Sequence, residues 1–289
     1  MIFRTRRRCG NPYYNALVFY TTCGPATTFD PKITGVAGTW YFDDGTTLAA
    51  ASGTEISKTF ASEGLHRAVY RPASGGLAAI TQVDCGSDLI TNVIGLNKLT
   101  SITKYQEYNS HRFNFNTIPA SKLNTLDLRQ STIYDIEGNI NLLSSIQYLY
   151  LNSPLVVGNT SLLPSNMQSL VLSGCSGITY DGINHMLAIR DLRLATGHLT
   201  AVVDGFINEI WAKRTSYTYA TPALAIGSPN QAPTGTVGAP VEGADWHQDG
   251  ATWIPLTAGA KIYDLAKNVN SEARTAAWTI TYTGGSIAP

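Results

Sequence analysis

The stretch Leu123-Asn-Thr-Leu126-Asp-Leu128 is the first clear copy of an apolar pattern that decides the fold of this chain. Three further copies follow it, at Ile146-Gln-Tyr-Leu149-Tyr-Leu151, Met167-Gln-Ser-Leu170-Val-Leu172 and Ile189-Arg-Asp-Leu192-Arg-Leu194. A weaker copy, Leu99-x-x-Ile102, precedes them, so that successive copies begin 24, 23, 21 and 22 residues apart. The pattern predicts one short strand per repeat. Neighbouring repeats must stack, because no single repeat can bury its apolar edge.

This period and spacing resemble the leucine-rich repeat. The resemblance implies a solenoid whose strands form a curved parallel sheet, and it implies no chemistry. The family usually places Asn or Cys three residues after the last strand Leu, and of the five such positions here only Cys175 fits well. In the first copy Lys104 stands where an inward Leu belongs, which suits a unit at the edge.

The region before the repeats has short alternating strand patterns separated by turn signals, which predict a small antiparallel sandwich. Its segments Trp40-Tyr-Phe-Asp-Asp-Gly45, Ser57-Lys-Thr-Phe60 and Ala68-Val-Tyr70 resemble the PKD-type immunoglobulin-like module, although Asp43 replaces the first Gly of the family signature. The resemblance implies a spacer or a ligand-presenting domain.

After the repeats, Val202–Lys213 is predicted to be an amphipathic helix, with Val202, Val203, Phe206, Ile207 and Ile210 on one face. Further on, Ile262–Ala266 is predicted to be a short helix and Trp278–Thr283 a final strand. We therefore predict a mixed, β-rich fold in three parts. These are an N-terminal segment with a PKD-like β-sandwich (1–76), a leucine-rich-repeat solenoid (77–215) and a β-rich C-terminal cap (216–289).

The composition argues against several classes of partner. Lys plus Arg and Asp plus Glu are 20 each, so no overall charge favours nucleic acid. No apolar stretch approaches the ~20 residues of a membrane helix, and the basic start is not followed by the apolar core of a standard export signal. Charged residues make up only 14% of the chain, which is typical of β-rich extracellular and particle-surface proteins.

The four cysteines, Cys9, Cys23, Cys85 and Cys175, include no C-x-x-C pair, which argues against a zinc ribbon or a thioredoxin-like site. Two alternatives stay open. Cys9 and Cys23 form a disulfide in an oxidising compartment, or all four are buried thiols.

The residues between the inward leucines are expected on the concave face of the solenoid. Central aromatic and Arg side chains with small polar neighbours are typical of binding hot spots. The alternative is an ordinary solvated sheet. The candidate binding residues are Tyr105, Asp127, Arg129, Tyr148, Tyr150, Asn152, Asp191 and Arg193.

Signals for catalysis are weak, and we predict no enzyme activity, no cofactor and no metal site. The five histidines lack metal-binding spacing, and no nucleophile elbow, P-loop or dinucleotide fingerprint occurs. A polysaccharide hydrolase would need paired carboxylates, for which the concave face offers Asp127 and Asp191. Asp43-Asp44 suits either a calcium site or, more simply, a hairpin turn.

Surface proteins of Bacteroidetes combine such modules. The segment from Leu224 to Gly235 and the end Trp278–Thr283 resemble tails of structural proteins from phages of that group. We therefore expect a non-enzymatic virion protein: a capsid decoration, head fibre or tail-associated protein. It would bind other virion proteins, or a protein or glycan of the host surface, and a homo-oligomer is compatible with that role. The alternative is a bacterial cell-surface or secreted adhesion protein.

Overall fold

In the computed structural model, which describes residues 14–86, 89–107, 113–128, 136–195 and 197–289, the protein is β-rich. Among these residues two α-helices accompany several sheets, none of which closes on itself. The predicted β-rich class is confirmed. The strands of the first hundred residues are β1 (Leu17–Thr21), β2 (Thr28–Phe29), β3 (Lys32–Thr34), β4 (Gly38–Phe42), β5 (Thr47–Ala50), β6 (Lys58–Thr59), β7 (His66–Pro72), β8 (Gln82–Asp84) and β9 (Ile90–Ile94).

A five-stranded antiparallel sheet, in the order β5-β4-β7-β1-β9, is built around large aromatic side chains. Trp40 is 1% exposed, and its ring centroid lies 5.3 Å from that of Phe19 and 5.1 Å from that of Tyr70. The Tyr70 hydroxyl donates to the carbonyl oxygen of Val36 at 2.6 Å. Alternation along β4 and β7 thus directs aromatic rings into one cluster, which Phe29, Phe42 and Phe60 complete.

The later strands are β10 (Lys104–Gln106), β11 (Phe113–Asn114), β12 (Thr125–Asp127), β13 (Ile136–Asn139), β14 (Tyr148–Asn152), β15 (Val156–Asn159), β16 (Ser169–Ser173), β17 (Gly177–Thr179), β18 (Asp191–Ala195), β19 (Ala223–Ile226), β20 (Trp246–Asp249), β21 (Thr252–Pro255), β22 (Thr279–Tyr282) and β23 (Gly285–Ile287). Eight strands pair in parallel and in chain order: β8, β10, β12, β14, β16, β18, β19 and β22. Antiparallel β3 and β23 complete this ten-stranded sheet, called here the long sheet.

The inward positions of the long sheet form a continuous buried row. Leu149 is in register with Leu126 on one side and Leu170 on the other, and all three are fully buried. The row extends in both directions through Val83, Tyr105, Leu192, Leu224 and Ile280. Parallel pairing in chain order places equivalent residues side by side, so a short repeat builds one extended core.

The register predicted for the first repeat is wrong. Because Tyr105 pairs with Leu126, the copy aligned with Leu123-x-x-Leu126-x-Leu128 is Ile102-x-x-Tyr105-x-Glu107, which begins three residues later than predicted. Leu99 instead follows the 3-10 helix Leu96–Lys98. The same spacing of three residues recurs at Leu143 and Ile146, where Leu143 also ends a 3-10 helix. Lys104 therefore faces outward.

A second, four-stranded parallel set (β11, β13, β15 and β17) alternates along the chain with β10, β12, β14 and β16 of the long sheet. An Asn side chain begins the 3-10 helix that follows each of its first three strands. Asn114, Asn139 and Asn159 each accept a hydrogen bond from the backbone N–H two residues later, at 2.8–3.0 Å. Gly158, within β15, has φ +130°, and a Cβ there would lie 2.6 Å from Ile140 Cγ1, so this position requires glycine.

Strands from the two sides of residues 76–77, the boundary predicted between the first two parts, pair with each other. β3 joins the long sheet beside β8, and β9 joins the five-stranded sheet beside β1. The three-part division remains a prediction, with backbone hydrogen bonds running across its first boundary.

Helix α1 (Thr200–Ala212) packs on helix α2 (Ala258–Lys267) at the C-terminal end of the long sheet. Four of the five residues predicted on the apolar face of α1 are buried, whereas Val202 is 38% exposed. Asp264, 1% exposed, accepts a hydrogen bond from Trp211 Nε1 at 2.8 Å and joins the helices. Neither helix is long and apolar enough to cross a membrane, in the residues described.

Candidate functional site

The side of the long sheet opposite the buried row is called here the ladder face. Register aligns its residues in two rows across β10, β12, β14, β16 and β18. The first row is Lys104, Thr125, Tyr148, Ser169 and Asp191, and the second is Gln106, Asp127, Tyr150, Val171 and Arg193. Strands lie about 4.8 Å apart, so consecutive members of a row are close neighbours.

Two tyrosines occupy the centre of this face. Tyr148 and Tyr150 are both half-buried on β14. The Tyr148 hydroxyl donates to Gln168 Oε1 at 2.6 Å, and Gln168 Nε2 donates to Gln147 Oε1 at 3.2 Å. This chain of hydrogen bonds fixes the orientation of the Tyr148 ring and leaves a rigid aromatic surface, which suits binding at low entropic cost.

Charged groups on the face are partly paired. Arg193 Nε donates to Asp191 Oδ1 at 2.8 Å, and the Arg193 side chain remains 54% exposed. At the other end of the rows, Lys104 Nζ lies 3.4 Å from Asp84 Oδ2. The exposed Arg193 guanidinium can still engage a partner, since only one of its nitrogens is used by Asp191.

The structure brings together five of the eight predicted site residues in accessible positions: Tyr148, Tyr150, Asn152, Asp191 and Arg193. Asp127 belongs to the second row but is only 4% exposed. Arg129 lies outside the described residues.

The prediction that Tyr105 lies on the exposed face is wrong. Tyr105 is 0% exposed and occupies an inward position. The physical reason is the three-residue shift of the first repeat, since a shift by an odd number of residues moves a strand residue to the opposite face.

The amide side chains that support Tyr148 were not identified from the sequence. Gln147 and Gln168 follow the first apolar residue of their repeats, as Asn124 does in the preceding repeat. That repetition of amides was a usable signal, because neighbouring strands place equivalent side chains within hydrogen-bond reach.

Other candidates have structural roles. Asp44 accepts hydrogen bonds from Lys58 Nζ and Thr46 and so stabilises the β4–β5 turn. Asp43 Oδ2 accepts from the Arg67 N–H at 2.9 Å and ties this turn to β7. Cys175 is fully buried, and burial raises the pKa of its thiol to about 11. Cys23 is also buried, with Sγ 3.5 Å from the Thr28 carbonyl oxygen. Cys9, its predicted alternative partner, lies outside the described residues.

In the described part of the chain no three His, Cys, Asp or Glu residues cluster as a metal site.

The two carboxylates considered for hydrolysis lie far apart. Asp127 and Asp191 are on strands three steps apart and in different rows. At about 4.8 Å per step they are separated by roughly 14 Å or more along the sheet. Glycoside hydrolysis uses carboxyl groups about 5–9.5 Å apart, so this pair does not fit that chemistry.

No family model, curated protein or solved structure matches this chain.

Proposed function

We propose that this protein is a non-enzymatic binding module of a phage virion: a capsid decoration, head fibre or tail-associated protein. The ladder face is its contact surface, and its partner is another virion protein or a protein or glycan of the host surface. The observation that carries the proposal is the pair Tyr148 and Tyr150, half-buried at the centre of the ladder face, with the exposed Arg193 two strands away on β18. Tyr and Arg are enriched in the residues that dominate binding energies.

We further propose that the long sheet belongs to a leucine-rich-repeat type of solenoid, and that the five-stranded sheet is a PKD-like module. The first assignment is supported by parallel pairing in chain order and by a period of 21–23 residues from Ile102 to Ile189. The aromatic strand Thr39–Phe42 and its Asp-Asp-Gly turn support the second. Both kinds of module present surfaces to partners.

The virion setting is supported by the low charge content of 14% and by the resemblance of the C-terminal segments to phage structural proteins. Quantitative mass spectrometry of purified phage particles, host envelope and culture medium tests it. We expect stoichiometric recovery in the particles. Recovery only in the envelope or medium would contradict the virion setting and favour the cell-surface adhesion protein.

The binding role is tested separately with the variant Tyr148→Ala/Tyr150→Ala. Titration of purified protein onto intact host cells, and onto particles lacking the protein, should show at least tenfold weaker binding to the partner surface. Tyr41→Ala is the matched control, because Tyr41 is a partly exposed tyrosine on the five-stranded sheet. Equal binding of the double variant and the wild type would rule out the ladder face as the contact surface.

A further inference from the structure

The C-terminal half of the ladder face has all its charged side chains at a single strand. That strand, β18, lies between β16 and β19, with β14 and β22 as the next strands outward, and the structure describes all five. The other four strands lie within residues 138–180, 215–241 and 275–289, which contain no Asp, Glu, Lys or Arg. The residues at β18 therefore set the charge of this half of the face.

Asp191 orients the Arg193 guanidinium and leaves its outer edge available. Arg193 Nε donates to Asp191 Oδ1 at 2.8 Å, and the Arg193 side chain is 54% exposed. The guanidinium makes no other hydrogen bond to the part of the chain that the structure describes, so Nη1 and Nη2 keep their N–H groups for a partner. These two nitrogens form the planar fork that binds a carboxylate through two parallel hydrogen bonds.

The immediate surroundings of Arg193 are short and uncharged. In register it lies beside Val171 on β16 and Ala225 on β19. Both side chains are much shorter than arginine, so the guanidinium extends beyond the two neighbouring strands. The exposed Arg190 precedes β18, and two positive side chains against the one carboxylate of Asp191 leave a net charge of +1.

This small positive charge discriminates among anionic partners. Nucleic acids and other polyanions are held by many cations, and the five strands of this half of the face supply a net charge of +1. The Asp191 carboxylate beside the guanidinium also repels a second negative charge, which disfavours a phosphate dianion. A group with one negative charge and a planar pair of acceptor oxygens, which is a carboxylate, matches Arg193 best.

The partner must also extend from Arg193 to the tyrosines. Along the second row, Tyr150 is in register with Val171 and Val171 with Arg193, so two strand spacings, about 10 Å, separate Tyr150 from Arg193. The residue between them is apolar. A protein segment can place an aliphatic side chain over Val171, whereas an acidic oligosaccharide would place its hydroxyl groups there.

We infer that the ladder face docks a protein segment that presents an Asp or Glu carboxylate to Arg193 and apolar side chains to Tyr148 and Tyr150. The inference rests on the proposed function, because it takes the ladder face as the contact surface and specifies the chemistry of the partner.

The first test is titration of purified variants onto intact host cells and onto particles that lack the protein. Arg193→Gln removes the charge and should weaken binding roughly tenfold. Arg193→Lys keeps the charge without the planar fork and should recover only part of the loss. The Arg193–Asp191 pair is exposed, so the thermal midpoint of Arg193→Gln should equal that of the wild type. Arg71→Gln, at an exposed position of β7, is the matched control and should bind like the wild type.

The second test modifies the partner surface. Carbodiimide with ethanolamine converts surface carboxyl groups into neutral amides before the titration. Wild-type binding should then fall to the level of Arg193→Gln, and the binding of Arg193→Gln should change little, because the variant has already lost the interaction. Periodate, which cleaves the diols of glycans, should leave wild-type binding unchanged.

The outcomes separate this inference from the proposed function. Normal binding of Arg193→Gln, with weak binding of Tyr148→Ala/Tyr150→Ala, would overturn the inference and leave the ladder face as the contact surface. Normal binding of both variants would overturn the contact surface together with the inference. Wild-type binding that survives carbodiimide treatment would overturn the carboxylate, and binding that is lost after periodate would overturn the protein class of the partner.

Discussion

The two main sheets of this protein achieve burial in different ways. The five-stranded sheet gathers six large aromatic residues into one cluster, in which Trp40 contacts four of the other rings: Phe19, Phe29, Phe42 and Tyr70. The long sheet instead lines up aliphatic side chains in a row, where Leu149 has equivalents on both neighbouring strands. The aromatic cluster therefore concentrates its packing at one residue, whereas the row distributes its packing over the repeats.

The largest effect should come from the centre of the aromatic cluster. Trp40→Ala removes a buried side chain that contacts four other rings, and we expect it to lower the free energy of unfolding by about 3–5 kcal/mol. Urea denaturation, monitored by fluorescence and circular dichroism, measures this loss in the free energy of unfolding. A loss below about 1 kcal/mol would contradict the concentrated packing of this sheet.

A smaller and more uniform effect is expected in the aliphatic row. Leu126→Ala, Leu149→Ala, Leu170→Ala and Leu192→Ala should each cost about 3 kcal/mol, because all four leave a similar cavity between neighbouring rungs. Their values should agree within about 1 kcal/mol in the same urea experiment. A wide spread among the four would mean that the repeats are not equivalent units.

The predictability of these regions from sequence also differs. Repeats from Leu123 to Leu194 were predictable, because an apolar pattern of fixed period directly specifies stacked strands. Short strand patterns between turn signals located most of β4 and β7. The pairing of β3 with β8 and of β9 with β1 was not predictable, since no local pattern specifies which distant strand completes a sheet edge.

The candidate site was predictable only in its regular part. Tyr148 and Tyr150 were placed correctly because β14 follows a strong pattern, whereas Tyr105 was misplaced because Leu99-x-x-Ile102 mimics that pattern. Glu107 was not recognised as an inward residue for the same reason. A polar residue at a buried position removes the very signal that sets the register, so such a departure is the hardest part of a repeat to predict from sequence.

The turns of the second parallel set provide a prediction of intermediate size. Asn139→Ala removes the side chain that caps the 3-10 helix Ile140–Leu142 and should cost about 1 kcal/mol, the usual value of such a cap. Asn141→Ala, in the same turn, also removes a hydrogen bond, the one that Asn141 Oδ1 accepts from the Asn159 N–H at 3.1 Å. Asn97→Ala, on an exposed turn, is the control. Equal stability of Asn139→Ala and the control would show that the repeated Asn caps do not stabilise the repeats.

The smallest effect is expected at the hairpin of the five-stranded sheet. Hydrogen bonds from Lys58 and Thr46 lower the pKa of Asp44 from 3.8 to about 2. The Asp44 side chain is 39% exposed, so Asp44→Asn should cost less than about 1 kcal/mol at pH 7. A lowered folded-state pKa stabilises the fold above the unfolded pKa, and this contribution is lost as pH falls through the folded value. The difference between wild type and variant should therefore disappear between about pH 4 and pH 2. A constant difference in stability between wild type and Asp44→Asn over that pH range would contradict the lowered pKa of Asp44.

The central claim is that the ladder face contacts the partner, and hydroxyl-radical footprinting tests it most directly. The protein is labelled alone and after binding to particles or host cells, and modification of individual tyrosines is quantified. The account predicts that binding protects Tyr148 and Tyr150 at least fivefold while Tyr41 keeps its reactivity. Unchanged modification of Tyr148 and Tyr150 in the bound protein would contradict it.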